Sequence, residues 1–148
     1  LLILYSLIRM AQTGVRGPQG PRIQHLLRQS ATGLYFGWIT VATIANATAL
    51  LVSQNFSGWG IADAQWTSAI LLVGAVIASA TLIKFKNPMY GIAVIWALTG
   101  IWSKHTDPEQ WNFQFPLVIK TTQACLVLVG SALFYSTYSS FTPKTTVR

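Results

Sequence analysis

Charge is what this sequence has least of. Only 9% of its 148 residues are Asp, Glu, Lys or Arg, against about 25% in a typical soluble domain. That argues against an ordinary soluble globular fold. Acids number three, and no two of them fall inside an apolar run, so the paired carboxylates of acid–base catalysis are missing. A single cysteine, Cys125, excludes an internal disulfide scaffold, and it reads as a small buried residue. No Gly-rich phosphate loop follows a strand, and no Ser/His/Asp set can be assembled. These absences point to a non-enzymatic protein.

What is present is apolar. Hydrophobic residues make up 52% and aromatics 12%, with a mean hydropathy of +0.47. Disorder is excluded by the same numbers. Long uncharged runs between short polar gaps define an all-α, multi-pass transmembrane bundle forming a single domain over residues 1–148. Four full spans are expected at about residues 31–52, 65–83, 88–103 and 115–138, with one partial N-terminal span at 1–10. The run Leu1–Met10 is about half a crossing, which suggests that an upstream segment precedes it. Residues 11–30 hold Gly14, Gly17, Pro18, Gly20 and Pro21 and are expected to be irregular, with a short surface helix around Ile23, Leu26 and Leu27. Asp63 is placed to cap the helix that follows it, and Asn87-Pro88 to start the next.

The net charge is +7, and its distribution speaks of orientation rather than nucleic acid. Arg9, Arg16, Arg22 and Arg28, then Lys84 and Lys86, then Lys144 and Arg148 fall in alternate polar stretches without an acid. Asp63, Lys104, Asp107, Glu109 and Lys120 fall in the others. Positive-inside places the Arg-rich stretch, the Lys84 turn and the C-terminus on the cytoplasmic, stromal or matrix side. Trp59, Trp66, Trp102 and Trp111 then collect at the opposite face, where indoles suit headgroup depth. His25 and His105 fall on opposite sides, so no metal site is expected. Lys120, one turn into the last span, reads as a snorkelling lysine or as a partner for Asp107, Glu109 or an anionic ligand group. Asn55-Phe56-Ser57 is the one glycosylation triplet in an outer loop.

Small residues mark close helix crossings: Gly33 with Gly37, Gly74 with Ala78, and Ala93 with Ala97. Asn46 sits deep in a span beside Thr40, Thr43 and Thr48, and a buried amide there calls for a hydrogen-bond partner on another helix or on a ligand. Tyr35, Trp38, Ala42 and Asn46 form one helical stripe that suits either a neighbouring helix or a flat ligand.

That stripe also carries a resemblance. Leu34 to Asn46 is similar to the last helix of the tryptophan-rich sensory protein (TspO/MBR) family, with its Pro-Tyr-x-x-Trp-x-x-x-Ala-x-x-x-Asn pattern. Tyr35, Trp38, Ala42 and Asn46 match in register, and Leu34 replaces the usual proline. The segment from Val94 to Ile101, including Trp96, resembles the extended bacterial and plastid-type members, so the likeness runs from about Gly33 to Trp102. The resemblance implies a helical bundle with affinity for a tetrapyrrole (porphyrin or chlorophyll), a carotenoid, a lipid or another flat apolar molecule. It carries over to Tyr35, Trp38, Ala42 and Asn46 alone; if the chain takes a ligand, Tyr35, Trp38, Asn46 and Trp96 are its expected contacts, while Ala42 and the spaced small residues Gly33, Gly37, Gly74, Ala78, Ala93 and Ala97 are expected packing positions. It also implies that residues 1–10 end the family's fourth helix. The competing expectation is an accessory subunit of a large photosynthetic or respiratory membrane complex, with helix contacts to itself or to that complex, in a thylakoid or bacterial inner membrane.

Overall fold

The computed structural model describes residues 22–54 and 60–141. The partial span at residues 1–10, the irregular stretch up to residue 21, the Asn55 triplet, Trp59 and the basic tail with Lys144 and Arg148 lie outside the described residues. Four helices account for nearly all of the rest: α1 (Arg22–Ser53), α2 (Asp63–Phe85), α3 (Pro88–Thr106) and α4 (Pro116–Phe141). Helix is the solution that a chain with so little charge requires, because backbone groups in hydrocarbon must bond within their own segment. Its hydroxyls follow the same rule. Thr40, Thr43 and Thr48 donate to the carbonyls of Phe36, Ile39 and Ile44, and Thr122 to Val118, at 2.7–2.9 Å.

Among the described residues, α2 and the Pro116–Ser139 part of α4 are long and apolar enough, by length and composition, to cross a membrane. Only 28% of the apolar window of each is buried within the fold. A core helix of a soluble protein would be mostly covered, so these faces suit lipid. Helices α1 and α3 fall short of that measure and join the bundle by packing: α3 contacts both α1 and α4.

The element boundaries differ from the sequence expectation at three points, each for a physical reason. No separate surface helix precedes the first described span: α1 is continuous from Arg22, 32 residues in all. Helix α3 has 19 residues and runs past the apolar stretch to Thr106, about 28 Å at 1.5 Å per residue. The added turn is held by its own polar side chains. His105 Nδ1 lies 2.8 Å from the Ile101 carbonyl and Thr106 donates to Trp102 O at 3.0 Å. The third difference is Asp63, which stands in the first turn of α2 while Ala62 is the cap residue and makes no side-chain cap bond. The carboxylate still meets the positive end of the helix.

Between α2 and α3 the chain reverses in two residues. Lys86 adopts the left-handed conformation at φ 51° and donates its N–H to Leu82 O at 2.8 Å. Asn87 then caps α3, its side chain accepting from Met89 N at 3.1 Å, with Pro88 in the first turn. Helices α1 and α3 run parallel, as Gly33 beside Asn87, Gly37 beside Ala93 and Trp38 beside Trp96 establish. Helices α2 and α4 pack closely through Ala75, Ala78 and Leu82 on one side and Cys125, Val129 and Ala132 on the other. Ser136 Oγ donates to Leu82 O at 3.3 Å across that seam. Phe36, Tyr90, Val94 and Leu98 complete the core.

Candidate functional site

Two tryptophans set the site apart. Interfacial depth explains Trp66, Trp102 and Trp111, which lie near the α2 start, at the α3 end and in the α3–α4 loop. It does not explain Trp38 and Trp96, which sit near the middle of the bundle's height. The centre of α3 falls at Trp96, and Trp38 meets it from the parallel α1, with ring centroids 5.8 Å apart and planes tilted by 44°. Both are well exposed, 50% for Trp38 and 66% for Trp96.

The pair stands at one end of an open groove of about 470 Å³ along the outer face of α3. Ala97, Gly100 and Ile101 line it, and Thr99, Ser103 and Lys104 continue it toward the C-terminal end of α3. Trp96, Gly100 and Lys104 are spaced by four, so they form one row on the helix. Gly100 leaves the floor open: a Cβ built there meets nothing within 4 Å. The lining is mainly apolar, and the volume lies within the usual ~300–1,000 Å³ of small-molecule sites. The small cavity lined by Gly33, Phe36, Leu82, Asn87 and Tyr90, among others, is different. At about 10 Å³ it has room for one water at most.

The sequence-predicted ligand residues divide here. Trp38 and Trp96 come together in the groove. Tyr35 and Asn46 are exposed on α1 and do not line it. The Asn46 amide has no hydrogen-bond partner among the described residues, contrary to the buried, bonded amide expected from its depth. Gly33 and Gly37 lie at the α1–α3 crossing, against Asn87 and against Ala93 and the Tyr90 carbonyl. Gly74 approaches Ile44 of α1, and Ala78 and Ala93 are buried. Ala42 is half-buried, and Ala97 serves the groove floor rather than a helix seam. Gly100 and Lys104 were not singled out by sequence as site residues. Their places four and eight residues beyond Trp96, on the same row of the helix, are the signal that finds them.

Electrostatics at the α3–α4 end of the groove are simple. Asp107 spends its carboxylate on the loop, Oδ1 accepting from Glu109 N at 2.9 Å and Oδ2 from Gln110 Nε2 at 3.0 Å. His105 stacks on Trp111 with centroids 5.7 Å apart, and Phe115 closes the cluster. Lys104 Nζ lies 5.7 Å from the Trp111 ring centroid. Among the described residues neither Lys104 nor Lys120 makes an ion pair. No group of three or more His, Cys, Asp or Glu that could hold a metal ion occurs among the described residues.

An all-helical fold whose two most apolar helices present lipid-suited faces is a helical membrane bundle. The family model described as TSPO-like protein matches residues 1–135. The chain belongs to the TSPO-like protein family, and the match reaches well beyond the Gly33–Trp102 stretch that carries the visible resemblance. No curated protein and no solved structure matches it.

Proposed function

We propose that this TSPO-like membrane protein binds a flat apolar molecule, a tetrapyrrole or a compound of similar shape, without transforming it, in the groove beside Trp38 and Trp96. The meeting of these two indoles at mid-height carries the reading. Tryptophan gains most at the headgroup level, where its N–H is satisfied. Two at mid-height, turned outward and touching, make an aromatic wall with no interfacial purpose. Aromatic faces beside an apolar floor suit a flat ligand, which offset stacking would hold.

Gly100→Leu tests the site. The added side chain enters open space, so the fold is expected to stand, helped by the better helix propensity of Leu. Purified wild-type chain in lipid nanodiscs should bind protoporphyrin with a shifted absorption band, and Gly100→Leu should lose that shift while keeping its helical content. Equal binding by both proteins would remove the groove from consideration. Protein that migrates only within a large complex, and binds nothing when released from it, would instead favour an accessory-subunit role.

A further inference from the structure

We infer that the small cavity where α1, α2 and α3 meet is the seat of one bound water molecule, which accepts the proton of the buried Tyr90 hydroxyl and ties Tyr90 to Thr81 and Asn87. This site is separate from the groove along α3 and does not depend on what the groove takes.

The hydroxyl shows that something is needed there. Tyr90 is 3% exposed, and its Oη has no hydrogen-bond partner among the described residues. A buried phenol normally has one. The Thr40 and Thr81 hydroxyls stand near it, but neither completes a hydrogen bond with it. All three side chains are held in place. Tyr90 belongs to the core and packs on Phe36, with ring centroids 5.1 Å apart. Thr40 and Thr81 each spend their proton on the carbonyl one turn back, Phe36 O at 2.9 Å and Ile77 O at 2.8 Å. Their oxygens still have lone pairs that can accept. A small, mobile molecule between fixed groups is what completes such a set.

The cavity supplies the place. Thr81, Asn87 and Tyr90 line it, with apolar walls that include Gly33 and Phe36 of α1. Its volume of about 10 Å³ is at the lower limit for a water and too small for an organic ligand. No ionisable acid or base lines it that would call for an ion. An apolar hole stays dry, whereas a buried water needs about two to four polar partners. Tyr90 Oη can donate to the water and Thr81 Oγ1 can accept from it. Asn87 Oδ1 accepts from Met89 N, and an amide oxygen has a second lone pair. Thr81 stands near the end of α2, Asn87 caps α3 and Tyr90 lies in its first turn. The water thus braces the reversal between α2 and α3 from within, and α1 covers it.

X-ray radiolytic footprinting in phosphatidylcholine nanodiscs tests the site. A hydroxyl radical formed from a bound water oxidises the side chain beside it, even where bulk water is shut out, and mass spectrometry locates the added oxygen. Tyr90 and Phe36 are both buried and are expected to be oxidised in the wild-type chain, with no suppression by an excess of a bulk radical scavenger. Thr81→Val with Tyr90→Phe removes two hydroxyls at nearly constant side-chain size and leaves the water one polar partner, fewer than it needs. Oxidation of Phe36 should then be lost while helical content by circular dichroism is kept. Should the pair not fold, each single substitution is expected to reduce the oxidation of Phe36. Three results overturn the inference. Wild-type chain unmodified at Tyr90 and Phe36 would mean that the hydroxyl reaches Thr40 or Thr81 directly. Modification abolished by the scavenger would mean bulk water rather than a bound molecule. Unchanged oxidation of Phe36 in the folded variants would mean that these groups do not hold the water.

Discussion

Gly33 of α1 lies so close to Asn87, the residue that caps α3, that a Cβ at position 33 would fall within the Asn87 amide. One contact thus joins the entry of α1 to the reversal between α2 and α3. The amide cannot simply turn aside, because its side chain accepts from Met89 N. Gly33→Ala is expected to cost about 1–3 kcal/mol by overpacking, and Asn87→Ala about 1 kcal/mol by loss of the cap. The double substitution should cost less than the two together, since Asn87→Ala opens the space that Gly33→Ala needs. A double-mutant cycle of unfolding in detergent checks this, and strict additivity would show that the two residues do not touch.

Gly37 makes a harder contact one turn on. A Cβ there would lie 2.7 Å from both the Ala93 Cβ and the Tyr90 carbonyl oxygen. Backbone gives less readily than side chain, so Gly37→Leu should separate α1 from α3. The expected loss is about 3 kcal/mol or more, together with loss of the Trp38–Trp96 contact. Tryptophan fluorescence during unfolding reads both effects. An unchanged midpoint would mean that α1 does not cross α3 at Gly37.

These glycines show how far the sequence reaches. The four helices are legible because uncharged runs of span length have few other solutions in lipid, and Asn87-Pro88 announces its own cap and turn. The small-residue spacing marks a close crossing but does not name the partner helix. That Gly33 and Gly37 meet α3, rather than their chain neighbour α2, follows only from the assembled bundle. The continuation of α1 back to Arg22 was only half visible: Ile23, Leu26 and Leu27 marked a short helix, but the polar Arg28-Gln29-Ser30 between it and the apolar run read as a break. At the groove, Trp38 was named in the sequence by its helical stripe and the family resemblance, and Trp96 by the resembling Val94–Ile101 segment, but their meeting was not visible there. Nor was the groove floor, because Gly100 acts through the side chain it lacks. Asn46 misled for a related reason: depth along the helix is visible in sequence, whereas the face it occupies depends on where α3 lies.

Orientation follows from charge at the two ends of the bundle. Lys84 and Lys86 flank one turn, and Asp107 and Glu109 occupy the loop at the opposite end. Positive-inside predicts that Lys84→Cys is labelled by an impermeant maleimide only from the cytoplasmic, stromal or matrix side, and Glu109→Cys only from the other. Both positions are exposed. The parent for this experiment carries Cys125→Ala, which removes the one native thiol, itself fully buried. Labelling of both positions from one side would overturn this arrangement of α3, whose ends they flank.

Asn46 makes the sharpest separation between packing, ligand and partner. Its amide is exposed on α1 and has no hydrogen-bond partner among the described residues. In hydrocarbon an unpaired amide is costly, by about 2–7 kcal/mol depending on the reference. Replacing it with an apolar side chain of similar size should therefore not destabilise the isolated bundle. Asn46→Leu is expected to leave stability unchanged or to raise it by about 1 kcal/mol. Because Asn46 does not line the groove, affinity for a groove ligand should also be kept. Stability is read by unfolding in detergent, ligand affinity in nanodiscs, and native mass in a mild detergent extract. A loss of more than about 1 kcal/mol in the isolated chain would place the amide in an internal helix contact. Loss of ligand with stability intact would extend the site from the groove to the outer half of α1. A fall in native mass alone would show that this amide is satisfied by a neighbouring protein in the membrane.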